Sequence, residues 1–438
     1  MLLPAPSGAR PLQFKSFAQK KVQFSQAAVT ASAPMLVLVD NECLRSQLPA
    51  KNGAGLLPHL ATFHAVTLPM RVQAHSVSFN SALNTAELEG AAQASPCVIG
   101  VAENPRVQTA AFERDPLAVN QIHLPAINQA AGEGYFFHPI FGVRQPVVAA
   151  VVDSGVQADH PDLRDRMWHG ANGETGIDIV RADSDPGDDF GHGTHVAGLL
   201  GAQRDNSVGV RGVMGDWVKL MAVKTQGSDG SGTVADVVNG ILWAADHGAE
   251  VMNLSLTSTG TNPALADALD YALAKNTVIA VAAGNDGAEV SNSNFVAPAA
   301  YAPNRRGLIS TGSIDAITYL KSNFSNFSSS FIEIAAPGAA GRDGLLSTFM
   351  GSTYQKIAGT SMASPQVAGA AALAIGFCKT HGVTYTSAQI EDFIEDSAVQ
   401  SAALEKYFNQ GRRLDLDRLG RLLFNSEVLD ATGGFDDP

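Results

Sequence analysis

The sequence predicts an α/β protein whose main part is a mostly parallel sheet with helices on both faces. Three observations carry this. Short apolar runs at 147–152 and 278–283 are unbroken by polar residues, as strands covered on both faces must be. Segments with helical spacing of apolar residues alternate with such runs along the chain. Glycine-rich loops follow several of the runs, and the 42 glycines show no collagen-like period. The 438 residues are enough for two or three domains.

The elements follow in order. Residues 1–34 are polar and aperiodic and read as an extension. Residues 35–39 form a strand, 58–63 a short helix, 76–83 a strand alternating about Val77 and Phe79, 84–94 a helix capped by Asn84 or Thr85, and 97–101 a strand. One more strand, at 65–72, would complete a split βαβ unit of ferredoxin-like form. From Phe112 the texture becomes α/β. Strands are expected at 147–152, 218–223, 251–256, 277–283 and 308–313. Helices are expected at 195–202, 234–247, 264–274, 365–377 and 387–397. The resulting domains are an extension (1–34), a small α+β unit (35–111), a large α/β domain (112–425) and an acidic tail (426–438).

Composition narrows the function. Hydrophobic residues make up 45% of the chain and charged residues 16%, which excludes a disordered polyelectrolyte. The net charge of −13 argues against nucleic acid as a partner, because phosphate binding needs a basic surface. The charge is uneven: residues 1–111 hold eight basic and five acidic side chains, a net of +3, which leaves −16 on the remainder. Three cysteines cannot form a disulfide scaffold. No unbroken apolar run approaches the roughly 18 residues of a spanning helix, so no transmembrane segment is expected. The N-terminus lacks the form of a signal peptide, since its positive charges follow the apolar stretch.

In open parallel sheets the reactive site lies beyond the C-terminal ends of the strands. Asp153 ends the 147–152 strand and begins Asp-Ser-Gly. His192 opens a helix in Gly-His-Gly-Thr-His-Val-Ala-Gly, and Ser361 opens another in Gly-Thr-Ser-Met-Ala-Ser-Pro. A serine hydroxyl becomes a nucleophile when an imidazole takes its proton, and a buried carboxylate fixes the tautomer of that imidazole. A helix N-terminus adds free N–H groups and a favourable dipole for an oxyanion. Asn285 ends the strand-like Val-Ala-Ala-Gly-Asn and offers an amide donor. Alone, an Asp after a strand is a turn former and a Ser before a helix is a cap. Four such residues in four separate segments leave those readings little room. His195 reads as a hydrogen-bonded structural histidine, since no third ligand gives a zinc site with His192. Asp183, Asp185, Asp188 and Asp189 read as a solvated loop, with a second metal site as the alternative.

These segments resemble the subtilisin-like serine proteases, in the order Asp, His, Ser of that family, over about three-quarters of the chain from Val-Asn-Gln-Ile-His-Leu-Pro-Ala onward. The resemblance implies a subtilisin-like fold and a serine endopeptidase. Asp153 would be the orienting acid, His192 the general base, Ser361 the nucleophile and Asn285 the oxyanion donor. No cofactor would be needed for the chemistry. Peptide and protein substrates would bind as an added strand along Ser228, Gly230, Ser231 and Gly232 on one side and Ser255, Leu256 and Thr257 on the other, with Gly284 beside Asn285. An ordinary glycine-rich loop is the alternative for the first segment. Thr257-Ser258 stands where many relatives have Gly-Gly. Val296 and Ala299 would floor a shallow first pocket that favours small or medium apolar side chains. A structural calcium (Ca2+) site is implied at Asp162, Asn206 and the carbonyls of Val208 and Val210, with Glu113 adding an oxygen; a plain turn is the alternative.

The segment 35–111 resembles the propeptide of these enzymes, chiefly through Phe79-Asn-Ser-Ala-Leu-Asn-Thr-Ala-Glu-Leu-Glu-Gly and Cys97-Val-Ile-Gly-Val-Ala-Glu-Asn. That implies a zymogen whose N-terminal domain assists folding and inhibits the enzyme, with cleavage near Ala111–Phe112. In the split βαβ sheet the first and last strands are antiparallel neighbours. That brings Cys43 toward Cys97, as a disulfide or as two free thiols. A silent peptide-binding relative and an enzyme locked by an uncleaved N-terminal domain are the competing readings. Analogy with acidic enzymes of this kind favours a secreted or periplasmic location.

Overall fold

The computed structural model describes residues 35–40, 60–63, 72–79, 98–103, 114–137 and 142–425. The chain divides into two compact units, Met1–Ala111 and Phe112–Pro438.

In the first unit, β1 (Met35–Asp40), β2 (Leu60–Phe63), β3 (Val72–Phe79) and β4 (Val98–Glu103) form one sheet in the order β2-β3-β1-β4. β1 is antiparallel to both β3 and β4, and β2 is antiparallel to β3. This is the expected split βαβ strand order, with two shifts; of the further strand expected at 65–72 only Val72 is among the described residues, and it opens β3. The expected helix at 58–63 is the strand β2: so short a segment cannot nucleate a helix alone, and ladder bonds to β3 decide its state. The expected 76–83 strand runs four residues earlier. The helix at 84–94, Cys43, Cys97, the 1–34 extension and the 426–438 tail lie outside the described residues.

The second unit begins with α1 (Gln129–Phe136) and β5 (Val147–Asp153). Then come β6 (Gly176–Asp178), α2 (His192–Gly201), β7 (Val218–Lys224), α3 (Val234–Asp246), β8 (Val251–Leu254), β9 (Ser258–Thr259), α4 (Pro263–Ala274) and β10 (Val278–Ala282). The chain continues through β11 (Val296–Ala297), β12 (Leu308–Asp315), β13 (Ile334–Ala339), β14 (Leu345–Phe349), β15 (Thr353–Ile357), α5 (Thr360–His381), α6 (Ser387–Ser397), β16 (Val399–Gln400), β17 (Arg412–Arg413) and α7 (Leu416–Asn425).

The sheet order is β16-β17-β13-β12-β10-β8-β5-β7-β6, parallel except at the β16–β17 edge. Both faces are covered. Val147, Ala149 and Val151 enter one core with α2 and α5, while Ala150 and Val152 enter the other with α3 and α4. A strand alternates its side chains between faces, so burial on both sides explains the unbroken apolar run. β5 pairs with β7 on one side and β8 on the other, so the strand order reverses at β5. A crevice opens at such a reversal, beyond the strands' C-terminal ends.

α5 alone among the described helices is long and apolar enough to cross a membrane, and 94% of its most apolar stretch is buried inside the protein. Alanine and glycine give it both its hydropathy and its close packing. A methyl on Gly369 would stand 2.7 Å from Val213 Cβ, and one on Gly376 would stand 2.6 Å from Val143 Cγ1.

Candidate active site

Asp153 is the last residue of β5 and is fully buried. Its Oδ1 accepts the N–H of Ser154 at 2.7 Å and lies 2.8 Å from Nδ1 of His192; its Oδ2 lies 3.0 Å from the same nitrogen. His192 is the first residue of α2, after Gly191 at φ +99°. Burial alone would lower its pKa. The charge of Asp153, its hydrogen bond and the charge of Asp188 outweigh that and hold it above the ordinary 6.5.

Ser361 is the second residue of α5, where backbone N–H groups have no helical acceptor. Four residues on, Pro365 lacks the N–H that would normally bond to the Ser361 carbonyl. The Ser255 hydroxyl donates there instead, at 2.9 Å, and ties the start of α5 to the end of β8. The Ser361 hydroxyl donates to the Ser255 carbonyl at 3.3 Å. A bond this long holds the hydroxyl weakly, and such contacts tighten when substrate arrives.

Asn285 is fixed through its amide oxygen, which accepts from the N–H and the hydroxyl of Thr360 at 2.8 and 3.0 Å. Its Nδ2 is thereby turned away from Thr360. A methyl on Gly359 would stand 3.5 Å from that Nδ2 and 3.6 Å from the Ser361 nitrogen, so the two donors border one space. Behind them the buried Asn326 accepts from the N–H groups of Asp286 and Ala288, each at 3.0 Å, and donates to the Ala283 carbonyl at 3.1 Å. Gly284 has φ +100°, and a side chain there would meet Asn326 Nδ2 at 2.3 Å.

Part of this set lines one cleft of about 420 Å³, with Asp153 and Asn326 buried behind it. His192, Ser361 and Asn285 are in its wall, together with Gly230, Ser231, Gly232, Ser255, Leu256, Thr257 and Gly284. Ser228 is exposed and outside the lining. Val296 is also outside it. β11 pairs antiparallel with β9, which carries Val296 into the core beneath. Phe190, Val234 and Leu265 are wall residues that the sequence reading does not find. They come from three separate segments, and only folding brings them together. Phe190 is 42% exposed despite its ring, which is the one local signal of a role in the cleft.

His195 behaves as expected of a structural residue. Its Nε2 lies 3.0 Å from both the Leu345 and Gln355 carbonyls, and burial lowers its pKa to about 4. Asp162 and Asn206 are together: the Asn206 amide donates to Asp162 Oδ1 at 2.9 Å. Asp162 Oδ2 accepts the Val210 N–H at 2.9 Å and the Tyr354 hydroxyl at 3.0 Å. None of these partners is cationic, and burial raises the pKa of Asp162. Asn206 turns its nitrogen to Asp162, and its amide oxygen accepts the Val208 N–H at 2.7 Å. Carboxylate, amide and loop carbonyl oxygens are the donor types that a hard divalent cation takes. Glu113 lies outside the described residues.

Residues 144–415 match the model of the subtilase family of peptidases, and the chain belongs to that family. It is 38% identical over 263 residues to thermitase of Thermoactinomyces vulgaris, covering 60% of this chain and 85% of thermitase. It is 37% identical over 263 residues to a thermophilic serine proteinase of Bacillus sp. strain AK1 and spans only 59% of that relative's length. A protease from Pseudoalteromonas arctica has a similar fold (TM-score 0.59, 25% identity, 72% of this chain and all of the other). So does a cold-adapted subtilisin-like serine proteinase (TM-score 0.50, 28% identity, 62% of this chain and 89% of the other).

Proposed function

We propose that the chain is a serine endopeptidase that cleaves peptide bonds through an acyl-enzyme on Ser361. The observation that carries this is the 2.8 Å contact of Asp153 with His192 at a cleft that also holds Ser361 and Asn285. Asp153 accepts a hydrogen bond from the Nδ1–H of His192, which keeps the proton on that nitrogen and leaves the Nε2 lone pair as the base. His192 takes the Ser361 proton as Oγ attacks the substrate carbonyl carbon. The carbonyl oxygen becomes an oxyanion held by Asn285 Nδ2 and the Ser361 N–H. His192 then passes its proton to the departing amine, and water releases the acyl group by the same steps in reverse.

Leu256, Thr257, Ser258, Ala282 and Gly284 line part of the cleft. With small and medium side chains in that set, the reading of a pocket for small or medium apolar residues is retained. The first unit is read as an intramolecular chaperone and inhibitor, released by cleavage near residue 111. Its strand order and its net charge of +3 against −16 support this reading. Calcium would be held by Asp162, Asn206 and the Val208 and Val210 carbonyls, where it would brace the loop and take no part in the reaction.

The test is a fluorophosphonate probe on the purified chain and on Ser361→Ala. Labelling of the wild type alone, with cleavage near residue 111, is the expected result. No labelling of either protein would make the chain a silent relative. Labelling only after added proteolysis would make it an enzyme locked by its first unit.

A further inference from the structure

Asp188 does not behave as a solvated loop residue. It is half-buried and its carboxylate accepts five hydrogen bonds. Oδ1 takes the Ser154 hydroxyl at 2.9 Å and the N–H groups of Phe190 and Gly191 at 3.0 and 2.8 Å. Oδ2 takes the N–H and hydroxyl of Thr194 at 2.9 and 2.6 Å. Ser154 is the residue after Asp153, and its hydroxyl oxygen also accepts the N–H of Gly193, the residue after His192, at 2.9 Å. One carboxylate thus joins the segment that carries the acid to the helical turn that carries the base. The neighbouring Asp189 repeats the link from the other side: it pairs with buried Lys224, whose Nζ donates to the Ser154 carbonyl at 2.6 Å. Packing leaves little slack. A side chain on Gly155 would meet the Pro186 carbonyl at 2.5 Å, and one on Gly193 would meet the Gly155 carbonyl at 2.0 Å.

We propose that Asp188 is a positioning residue of the reaction, which sets the orientation of His192 against Asp153 by holding Ser154 and Thr194 in one hydrogen-bonded unit. The inference rests on the peptidase reading above. A reacting geometry displaced by about 1 Å can cost on the order of a hundredfold in rate, so a link of this kind is worth having away from the reacting atoms. The link is also electrostatic. The titratable groups that act on His192 are Asp153 from β5 and Asp188 from the preceding loop, both of which favour its protonated form. His195, one turn along α2, interacts with it as well, and that interaction favours the neutral form of His195.

The test uses Asp188→Asn in the full chain, with His192 titrated by NMR and kcat and KM followed against pH. Asn keeps the shape and removes the charge. The expected result is a lower His192 pKa, an acid limb of kcat/KM moved to lower pH, and kcat reduced about ten- to a hundredfold with KM little changed. Ser154→Ala, which cuts one link without touching the carboxylate, should lower kcat less, and the double variant should be no worse than Asp188→Asn alone. An unmoved His192 titration, or losses from the two variants that simply multiply, would overturn the proposal. If Asp188→Asn does not fold, Ser154→Ala and Thr194→Val carry the test: unchanged kcat in both would overturn it. The NMR titration reads His192 itself, so it stands even if Ser361 takes no fluorophosphonate, an outcome that would sink the peptidase reading alone.

Discussion

Asp153 meets the Nδ1 of His192 with both of its oxygens, at 2.8 and 3.0 Å, from a position with no solvent exposure. The charge held there keeps the imidazole protonated to higher pH than usual, and the neutral base develops only above that. kcat/KM should therefore rise with pH through an apparent pKa above 6.5. Asp153→Asn should lower kcat by about 10⁴ by favouring the wrong tautomer. A wild-type pH profile whose acid limb lies below 6.5 would contradict this assignment.

Asn285 is held by its oxygen so that its nitrogen is free to act. Asn285→Ala should lower kcat by about 10²–10³, the size of loss that such a donor carries in subtilisin itself, and leave KM nearly unchanged. A matching rise in KM would mean that the amide binds the ground state equally well.

Phe190 stands over Gly230, where an added methyl would meet its ring at 2.6 Å. Phe190→Ala should enlarge the cleft beside His192. A peptide-library profile should then accept larger side chains near the cleaved bond, with kcat for small substrates largely kept. An unaltered profile would remove Phe190 from the substrate's path.

Excess EDTA should lower the Tm. A site filled at a hundred times its Kd contributes about 2.7 kcal/mol, enough for a shift of several degrees. Asp162→Ala should abolish the EDTA effect. A Tm unmoved by the chelator would leave the 205–210 loop as a plain turn.

Inhibition by the separated first unit should weaken as salt rises, since opposite charges of +3 and −16 draw the parts together. Inhibition that ignores ionic strength would assign the affinity to apolar contact.

How much of this is legible before folding depends on whether the signal is local. The buried strand β10 is apolar at every position, β5 at all but its last residue, Asp153, and β8 at all but Asn253, and the segments around Asp153, His192, Asn285 and Ser361 declare themselves in consecutive residues. β13 is hidden because its Pro337-Gly338 reads as a turn, although β12 and β17 pair with its two edges. β15 is hidden because it is mostly solvent-facing and its partner is the equally short β14. α5 starts five residues before Pro365, where a proline ordinarily marks a boundary; the missing helical bond is replaced by Ser255, 106 residues away in sequence. Val296 lies outside the cleft because a two-residue pairing with β9 decides its direction. Asp188 looks like any acid in an acidic loop until its five donors are assembled.

The helix whose second residue is Ser361 is buried along most of its length, with Ala368, Ala370 and Ala371 entirely shielded from solvent. For a peptidase this sets an order of events in its own destruction. A copy whose opening reaches this helix has displaced its own nucleophile. Along that route victim and cutter are different molecules, and loss of activity by self-digestion should be second order in concentration.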